Sequence, residues 1–374
     1  MDASITSDVV NLAIEIQQIA APTFEESRRA EFIRKYFSDL GVQNVFMDDH
    51  GNVHALIQGR GEKPPVVVSA HLDTVFPRET DLTITRTPET IYGPGIGDNS
   101  IGLAGLFGLY WSLQENNIRQ NATLPLPGDL WLIANVCEEG LGNLAGMKAV
   151  VNRFGGNVLA YIVLEGMSLG QIYHRGLGVR RYRISVHTRG GHSWVDYGKP
   201  SAIHELAELV VKIKTLALPV EPRTSLNVGM ISGGTSVNTI AAEASLQLDL
   251  RSTNSQALGI LINQVETLVD QANQKGGDGF RVESEVIGDR PSGEIRADHS
   301  LVGLAVKSLE AYGITARLNI GSTDTNEPLS RGFPAICVGL TTGGGSHTVN
   351  EYIDIKPIAQ GLGALVGLVQ AVFQ

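Results

Sequence analysis

Three short, almost unbroken apolar runs constrain this chain most, because each stops at an imidazole or an acid. Val66-Val67-Val68-Ser69-Ala70 stops at His71, Trp131-Leu132-Ile133-Ala134-Asn135-Val136-Cys137 at Glu138 and Glu139, and Ala160-Tyr161-Ile162-Val163-Leu164 at Glu165. Runs without polar alternation suit strands buried on both faces, hence a mostly parallel or mixed sheet covered by helices. In an open α/β sheet, ligands and chemistry gather at the carboxyl ends of the strands. A charge placed there repeatedly is hard to explain as packing. Two further candidates sit in Gly-rich turns. Asp98 closes Gly93-Pro94-Gly95-Ile96-Gly97, just before an apolar helix pattern at 101–110, and His347 follows Gly343-Gly344-Gly345-Ser346.

The rest of the chain alternates in the same way. A helical stripe at 9–20 follows Ser7-Asp8, a plausible N-cap. Thr23 and Glu26 fit a capping box for a second helix ending near Gly41. Strand patterns at 44–48, 53–58, 66–71, 129–137 and 159–165 interleave with helices from Asn99 and at 143–154. The pattern changes after Gly176. Strand 178–188, helix 200–216, strands 225–231 and 243–251, helix 254–275 and strand 280–287 follow in the order of a ferredoxin-like α+β unit. Helix and strand signals resume at 297–373. The reading is an α/β catalytic domain, residues 1–176 and 290–374, with its mixed sheet covered by helices and interrupted by a smaller inserted domain at 177–289. His347 comes from the returning segment.

Composition narrows the partners. A net charge of −10, spread without runs, argues against nucleic acid and anionic membranes. No apolar run reaches the roughly 18 residues a spanning helix needs. Met1 to Ser7 lacks a basic stretch before an apolar core, so no secretory signal is expected and a cytoplasmic location follows. Cys137 and Cys337 are then expected as buried, reduced thiols. Asn121-Ala122-Thr123 reads as a chance match to a glycosylation sequon.

Five of these candidates, His71, Asp98, Glu139, Glu165 and His347, carry a consistent ligand chemistry. In His71-Leu72-Asp73, the acid is placed to hold the imidazole of a metal-bound histidine, although the same triplet suits a strand end and a helix cap. Asp98 is either such a ligand or an N-cap. Its glycines at 93, 95 and 97 do not make a dinucleotide-binding loop. Glu138 and Glu139 repel each other as neighbours unless a cation lies between them. One can then hold the ion while the other takes a proton from the attacking water. Glu165 would be stranded at the end of an apolar run without a partner. His50, His54, His174, His187, His204 and His299 lack matching acidic context. Three carboxylates and two imidazoles give each of two ions three protein ligands if one acid bridges, an open N/O set that suits catalytic zinc.

Together, His71-Leu72-Asp73-Thr74-Val75, Tyr92-Gly93-x-Gly95-x-Gly97-Asp98, Glu138-Glu139-Gly140, Glu165 and His347-Thr348-x-Asn350-Glu351 resemble the dinuclear zinc exopeptidases and deacylases. That family includes peptidase T, carboxypeptidase G-type enzymes, acetylornithine deacetylase and succinyl-diaminopimelate desuccinylase. The resemblance covers nearly the whole chain. It implies two Zn2+ ions, with Co2+ or Mn2+ as substitutes, bridged by Asp98. His71 and Glu165 would complete one ion, Glu139 and His347 the other. It further implies Glu138 as general base, Asp73 as orienter of His71, a cis peptide after Asp98, and a lid domain that often dimerises.

The insert carries matches too. Gly190-Gly191-His192-Ser193 resembles the segment whose His stabilises the oxyanion, but Trp194-Val195-Asp196-Tyr197 intervene before Pro200, where relatives have an earlier Pro. Asn238 resembles a substrate-contacting Asn, and Arg251 in Asp249-Leu250-Arg251 a clamp for a substrate carboxylate. Ser322 lies in a segment resembling a site-edge loop.

The expected function is a zinc exopeptidase cleaving an amide bond of a small peptide next to a free terminus. N-acyl amino acids cleaved by a deacylase are the alternative substrates, and a catalytically inactive peptide-binding protein is the alternative of another class.

Overall fold

The apolar runs become strands of one mixed sheet. The computed structural model describes residues 3–119, 126–275 and 279–374. The Asn121-Ala122-Thr123 match therefore lies outside the described residues. The sheet runs in the order Phe46–Met47, Val53–Ile57, Leu130–Asn135, Val66–His71, Ala160–Leu164, Ala335–Val338, Gln171–Gly176 and Gly293–Glu294, and Arg317–Gly321 also pairs with Gln171–Gly176. The four central strands, from Leu130–Asn135 to Ala335–Val338, are parallel. Their outer neighbours pair antiparallel. Every residue of Val66–His71 is buried, which is why this run shows no alternation. Helices Ala3–Gln17, Ser27–Asp39, Ile101–Arg119 and Ile358–Val372 contribute Ile16, Phe37, Phe107 and Leu365 to the same apolar core.

Two helix starts differ from the sequence reading. The first helix begins at Ala3, so Ser7 and Asp8 lie inside it. Ile5, Val9, Leu12 and Ile16 keep one buried stripe going through that point. The second helix starts at Ser27 without a side-chain cap. Thr23 donates instead to the Asp73 carboxylate (2.9 Å), and Glu26 accepts from the Cys137 N–H (3.1 Å). The two residues of the supposed capping box thus brace the functional end of the sheet.

Asp48 braces it from another side. Its carboxylate accepts from the backbone of His50 and Asn52 and from the Asn52 amide, and it faces His54 Nε2 at 3.0 Å. His54, fully buried, therefore has the acidic partner that the sequence did not reveal. Asn52 in turn accepts from the Val136 N–H and donates to Gly146. Burial alone would raise the Asp48 carboxyl, but the bonds from His54 and Asn52 outweigh it and hold it at about 2. A depressed value stabilises the fold above the ordinary carboxylate pKa, and the contribution fades as pH falls towards 2. Asp48→Ala should lower stability by about 1–3 kcal/mol at neutral pH. Urea titrations should show the gap narrowing below about pH 4.

The second compact unit is Leu177–Ser292. Its antiparallel sheet runs Thr224–Gly233, Glu243–Ser252, Gly178–His187, Arg281–Arg290. Strand Glu243–Ser252 alternates buried residues with more accessible ones. Its buried side meets helices Ala202–Lys214 and Ser255–Lys275 through Leu246, Leu248, Leu206, Leu209, Leu261 and Val265. The last strand stays paired as far as Arg290 opposite Val179. The unit accordingly runs three residues past the boundary read at 289.

Candidate metal centre

His71 ends its strand, and Glu165 follows strand Ala160–Leu164 with its N–H on the Val338 carbonyl (2.9 Å). Asp98 and His347 arrive by another route. A small antiparallel sheet of Thr85–Arg86, Thr90–Tyr92, Tyr352–Asp354 and Gly343–Gly344 feeds the loop to Asp98 and flanks the loop that carries His347. The Glu351 carboxylate accepts from the N–H groups of Gly97 (2.7 Å) and Asp98 (2.8 Å). Asn99 donates to the Leu164 carbonyl and accepts from the Gly166 N–H, which ties the Asp98 loop to the Glu165 turn. A Cβ on Gly166 would sit 2.1 Å from the Gly97 carbonyl oxygen, so this backbone approach requires glycine. The Asp98–Asn99 peptide is cis, as the resemblance implies.

The two carboxylate oxygens of Asp98 face different histidines. Oδ1 lies 3.0 Å from His71 Nε2, and Oδ2 lies 3.2 Å from His347 Nε2. Glu165 Oε2 is 3.8 Å from His71 Nε2, and Glu139 Oε1 is 3.1 Å from His347 Nε2. Among the described residues three groups of potential ligands form, His71–Asp98–Glu165, Asp98–Glu139–His347 and His71–Glu138–Glu139, each with ligand atoms within 4.8 Å of one another, and the first two share Asp98.

His71 Nε2 is buried yet makes no hydrogen bond of acceptable geometry, despite the nearby carboxylate. Its Nδ1 lies 3.0 Å from the Asp73 carbonyl oxygen, an acceptor only. In the neutral ring the proton therefore belongs on Nδ1, which leaves Nε2 to face the cluster as a potential ligand atom. An orphaned nitrogen converging with carboxylate oxygens on one point fits a cation.

The electrostatics agree. Burial would lower His71, but Asp73, Asp98 and Glu165 raise it well above its usual value. His347 is pushed up to about 10 by Asp98 and Glu139. Burial raises Glu165. Burial would also raise Asp98, but the two histidines hold it low. The centre is built to stabilise positive charge.

Glu138 and Glu139 are each 5 % exposed, in the turn after Cys137. The buried Asp73 carboxylate accepts from both their N–H groups (2.9 and 2.8 Å) and from Thr23. Asp73 Oδ1 is 3.5 Å from His71 Nδ1, farther than its own carbonyl. Asp73 thus orients His71 mainly through its backbone and the Glu138–Glu139 turn through its side chain. Asp73→Ala should weaken metal binding 10–100-fold, the usual effect of removing an outer support. Titration with a competing chelator would measure it.

Ser322 is half-buried in the loop after Arg317–Gly321. The fully buried Asp324 beside it accepts from Asn135 Nδ2 (2.7 Å) and is raised to about 7 by burial. Within the insert, His192 and Asn238 come together. His192 pairs with Thr239, and the Ser193 N–H donates to the Asn238 carbonyl (3.0 Å). Arg251 donates to Asp249 (2.7 Å), which Arg181 also binds. The His192 turn adjoins the Glu243 end of strand Glu243–Ser252, where His187 pairs Glu243. Arg251 is eight residues further along that strand, roughly 26 Å at a normal rise.

Comparison with known proteins follows the same division. Residues 52–172 match Peptidase family M28, and residues 174–277 match the peptidase dimerisation domain of M20 peptidases. The uncharacterized protein YqjE of Bacillus subtilis (strain 168) is 24 % identical over 374 residues, covering 96 % of each chain. An aminopeptidase PepT from Bacillus cereus superposes with a TM-score of 0.79 at 23 % identity, covering 99 % of both chains. A dinuclear metal-binding peptidase of the M20 family from Bacillus subtilis superposes at 0.69 and 16 % identity, over 100 % of this chain and 99 % of that one. In fold, this chain is similar to the M20 peptidases with which it superposes.

Proposed function

We propose that the protein is a two-metal exopeptidase that hydrolyses the amide bond next to a free terminus of a small peptide. The observation that carries this reading is Asp98, which presents one oxygen to each of two His–carboxylate pairs. His71, Asp98 and Glu165 would hold one ion, and Asp98, Glu139 and His347 the other. The nitrogen and oxygen donor set, without cysteine, suits Zn2+, with Co2+ or Mn2+ as substitutes. Bound zinc supplies Lewis-acid polarisation of the scissile carbonyl and makes water more acidic.

This chain's own groups do the rest. Glu138 takes the proton of the attacking water and passes it to the leaving amine. Asp73 fixes the turn that carries Glu138. His192 donates a hydrogen bond to the developing oxyanion, while Asn238, Arg251 and Ser322 bind substrate.

The reading includes a homodimer built through the insert, supported by its match to a dimerisation domain. Among the described residues, strand Thr224–Gly233 is paired on one side only, and Met230 and Ile231 on it are exposed. Arg251 lies too far from His192 for one insert to grip a small peptide with both, which favours their serving different sites of a dimer. No described helix is long and apolar enough to cross a membrane. Two buried free cysteines suit a reducing cytoplasm.

The test is a hydrolysis panel of di- and tripeptides, N-acetyl amino acids and N-succinyl amino acids with zinc, cobalt or manganese. Cleavage of free peptides supports the proposal. Cleavage of N-acyl amino acids alone would make the protein a deacylase, and no cleavage with any metal would favour a peptide-binding role.

A further inference from the structure

The turn after His192 is built around its ring. Nδ1 of His192 accepts from the N–H groups of both Trp194 (3.2 Å) and Val195 (3.4 Å). A nitrogen that receives two N–H donors carries no proton of its own, so the ring proton of the neutral imidazole belongs on Nε2. Asp196 closes the turn from both directions. Its Oδ2 accepts from the His192 N–H (2.8 Å), its own N–H donates to the His192 carbonyl (2.9 Å), and its Oδ1 pairs with Lys199 (2.5 Å). A Cβ on Gly191 would lie 2.7 Å from Asp196 Oδ2, so the preceding glycine makes room for this carboxylate. The Asp196 carboxyl is lowered by Lys199 and by the His192 N–H, which keeps it an ionised acceptor. Asp196 belongs to the segment Trp194-Val195-Asp196-Tyr197, which precedes Pro200.

We propose that Asp196 is a positioning residue that locks the His192 turn so that the ring presents Nε2–H as a fixed hydrogen-bond donor. The proposal rests on the reading of His192 as oxyanion donor. A carbonyl oxygen gaining negative charge needs a donor already oriented, because reorienting one during the reaction forfeits the benefit. The Asp196 carboxylate holds the His192 N–H while the Asp196 backbone N–H holds the His192 carbonyl, so the residue ties down the turn on both sides of the ring.

The experiment uses 15N-histidine-labelled full-length enzyme loaded with zinc. Two-bond proton–nitrogen spectra report the tautomer, with the His192 signals assigned by their loss in His192→Gln. The expected wild-type spectrum shows Nδ1 unprotonated and Nε2 protonated. Asp196→Ala should mix the two tautomers and lower kcat about 10-fold with KM little changed. Asp196→Asn, which keeps an acceptor oxygen for the His192 N–H, should restore both. Lys199→Ala should leave the tautomer fixed.

A protonated Nδ1 or an averaged ring in the wild type would overturn the proposal. So would an Asp196→Ala protein with the wild-type tautomer, or a Lys199→Ala protein whose His192 tautomers mix. His192→Gln should lose about 10²-fold in kcat. If it keeps wild-type kcat, the oxyanion reading itself fails, whereas a wrong tautomer beside an impaired His192→Gln removes only the role of Asp196.

Discussion

Asp98→Asn should cost the protein both metal ions together and at least about 10³-fold in kcat, equivalent to several kcal/mol of transition-state stabilisation. The substitution keeps the side chain's shape and one acceptor oxygen. It replaces the other oxygen with an amide nitrogen that has no lone pair for a cation. Since Asp98 gives one oxygen to each half of the centre, 3.0 Å from His71 and 3.2 Å from His347, neither half survives intact. The pattern should differ for the outer ligands. Glu165→Gln and Glu139→Gln should each weaken one ion and leave most of the other. Metal analysis after gel filtration distinguishes the cases. Two ions per chain retained by Asp98→Asn would contradict its bridging role.

The second large effect separates two adjacent acids. Glu138→Gln should keep both ions and lose at least about 10²-fold in kcat, the scale of general acid–base help. Glu139→Gln should instead lose metal, because its Oε1 faces His347 Nε2 at 3.1 Å. Both side chains are nearly buried and both N–H groups rest on Asp73, so backbone support does not distinguish them. If the metal loss falls on Glu138→Gln and the purely kinetic loss on Glu139→Gln, the assignments must be exchanged.

Some of this centre was legible in the sequence for a physical reason. His71 and Glu165 directly follow runs whose lack of alternation marks buried parallel strands, so their positions at one end of the sheet follow from the run lengths. Asp98 and His347 have no such local mark. They meet because strands of two or three residues, Thr90–Tyr92, Gly343–Gly344 and Tyr352–Asp354, form a small sheet too short to show periodicity.

The supports were less visible still. Thr23 and Glu26 match a capping box by spacing, but tertiary partners, Asp73 and Cys137, took both side chains. Asn135 and Asp324 bond across 189 positions, and Glu351 reaches the Asp98 loop across 253. Long-range polar pairs of this kind leave no pattern in a window of sequence. Glu351 follows His347 by four residues in a polar turn, and its complete burial there emerges only from the fold.

The most direct measurement is anomalous diffraction at the zinc edge from crystals of the zinc-loaded protein. Two peaks roughly 3.5–4 Å apart are predicted, the usual separation in two-metal sites. One Asp98 oxygen should lie on each, His71 and Glu165 beside the first, Glu139 and His347 beside the second. A single peak at full zinc loading, or two peaks that do not share Asp98, would contradict the two-metal reading.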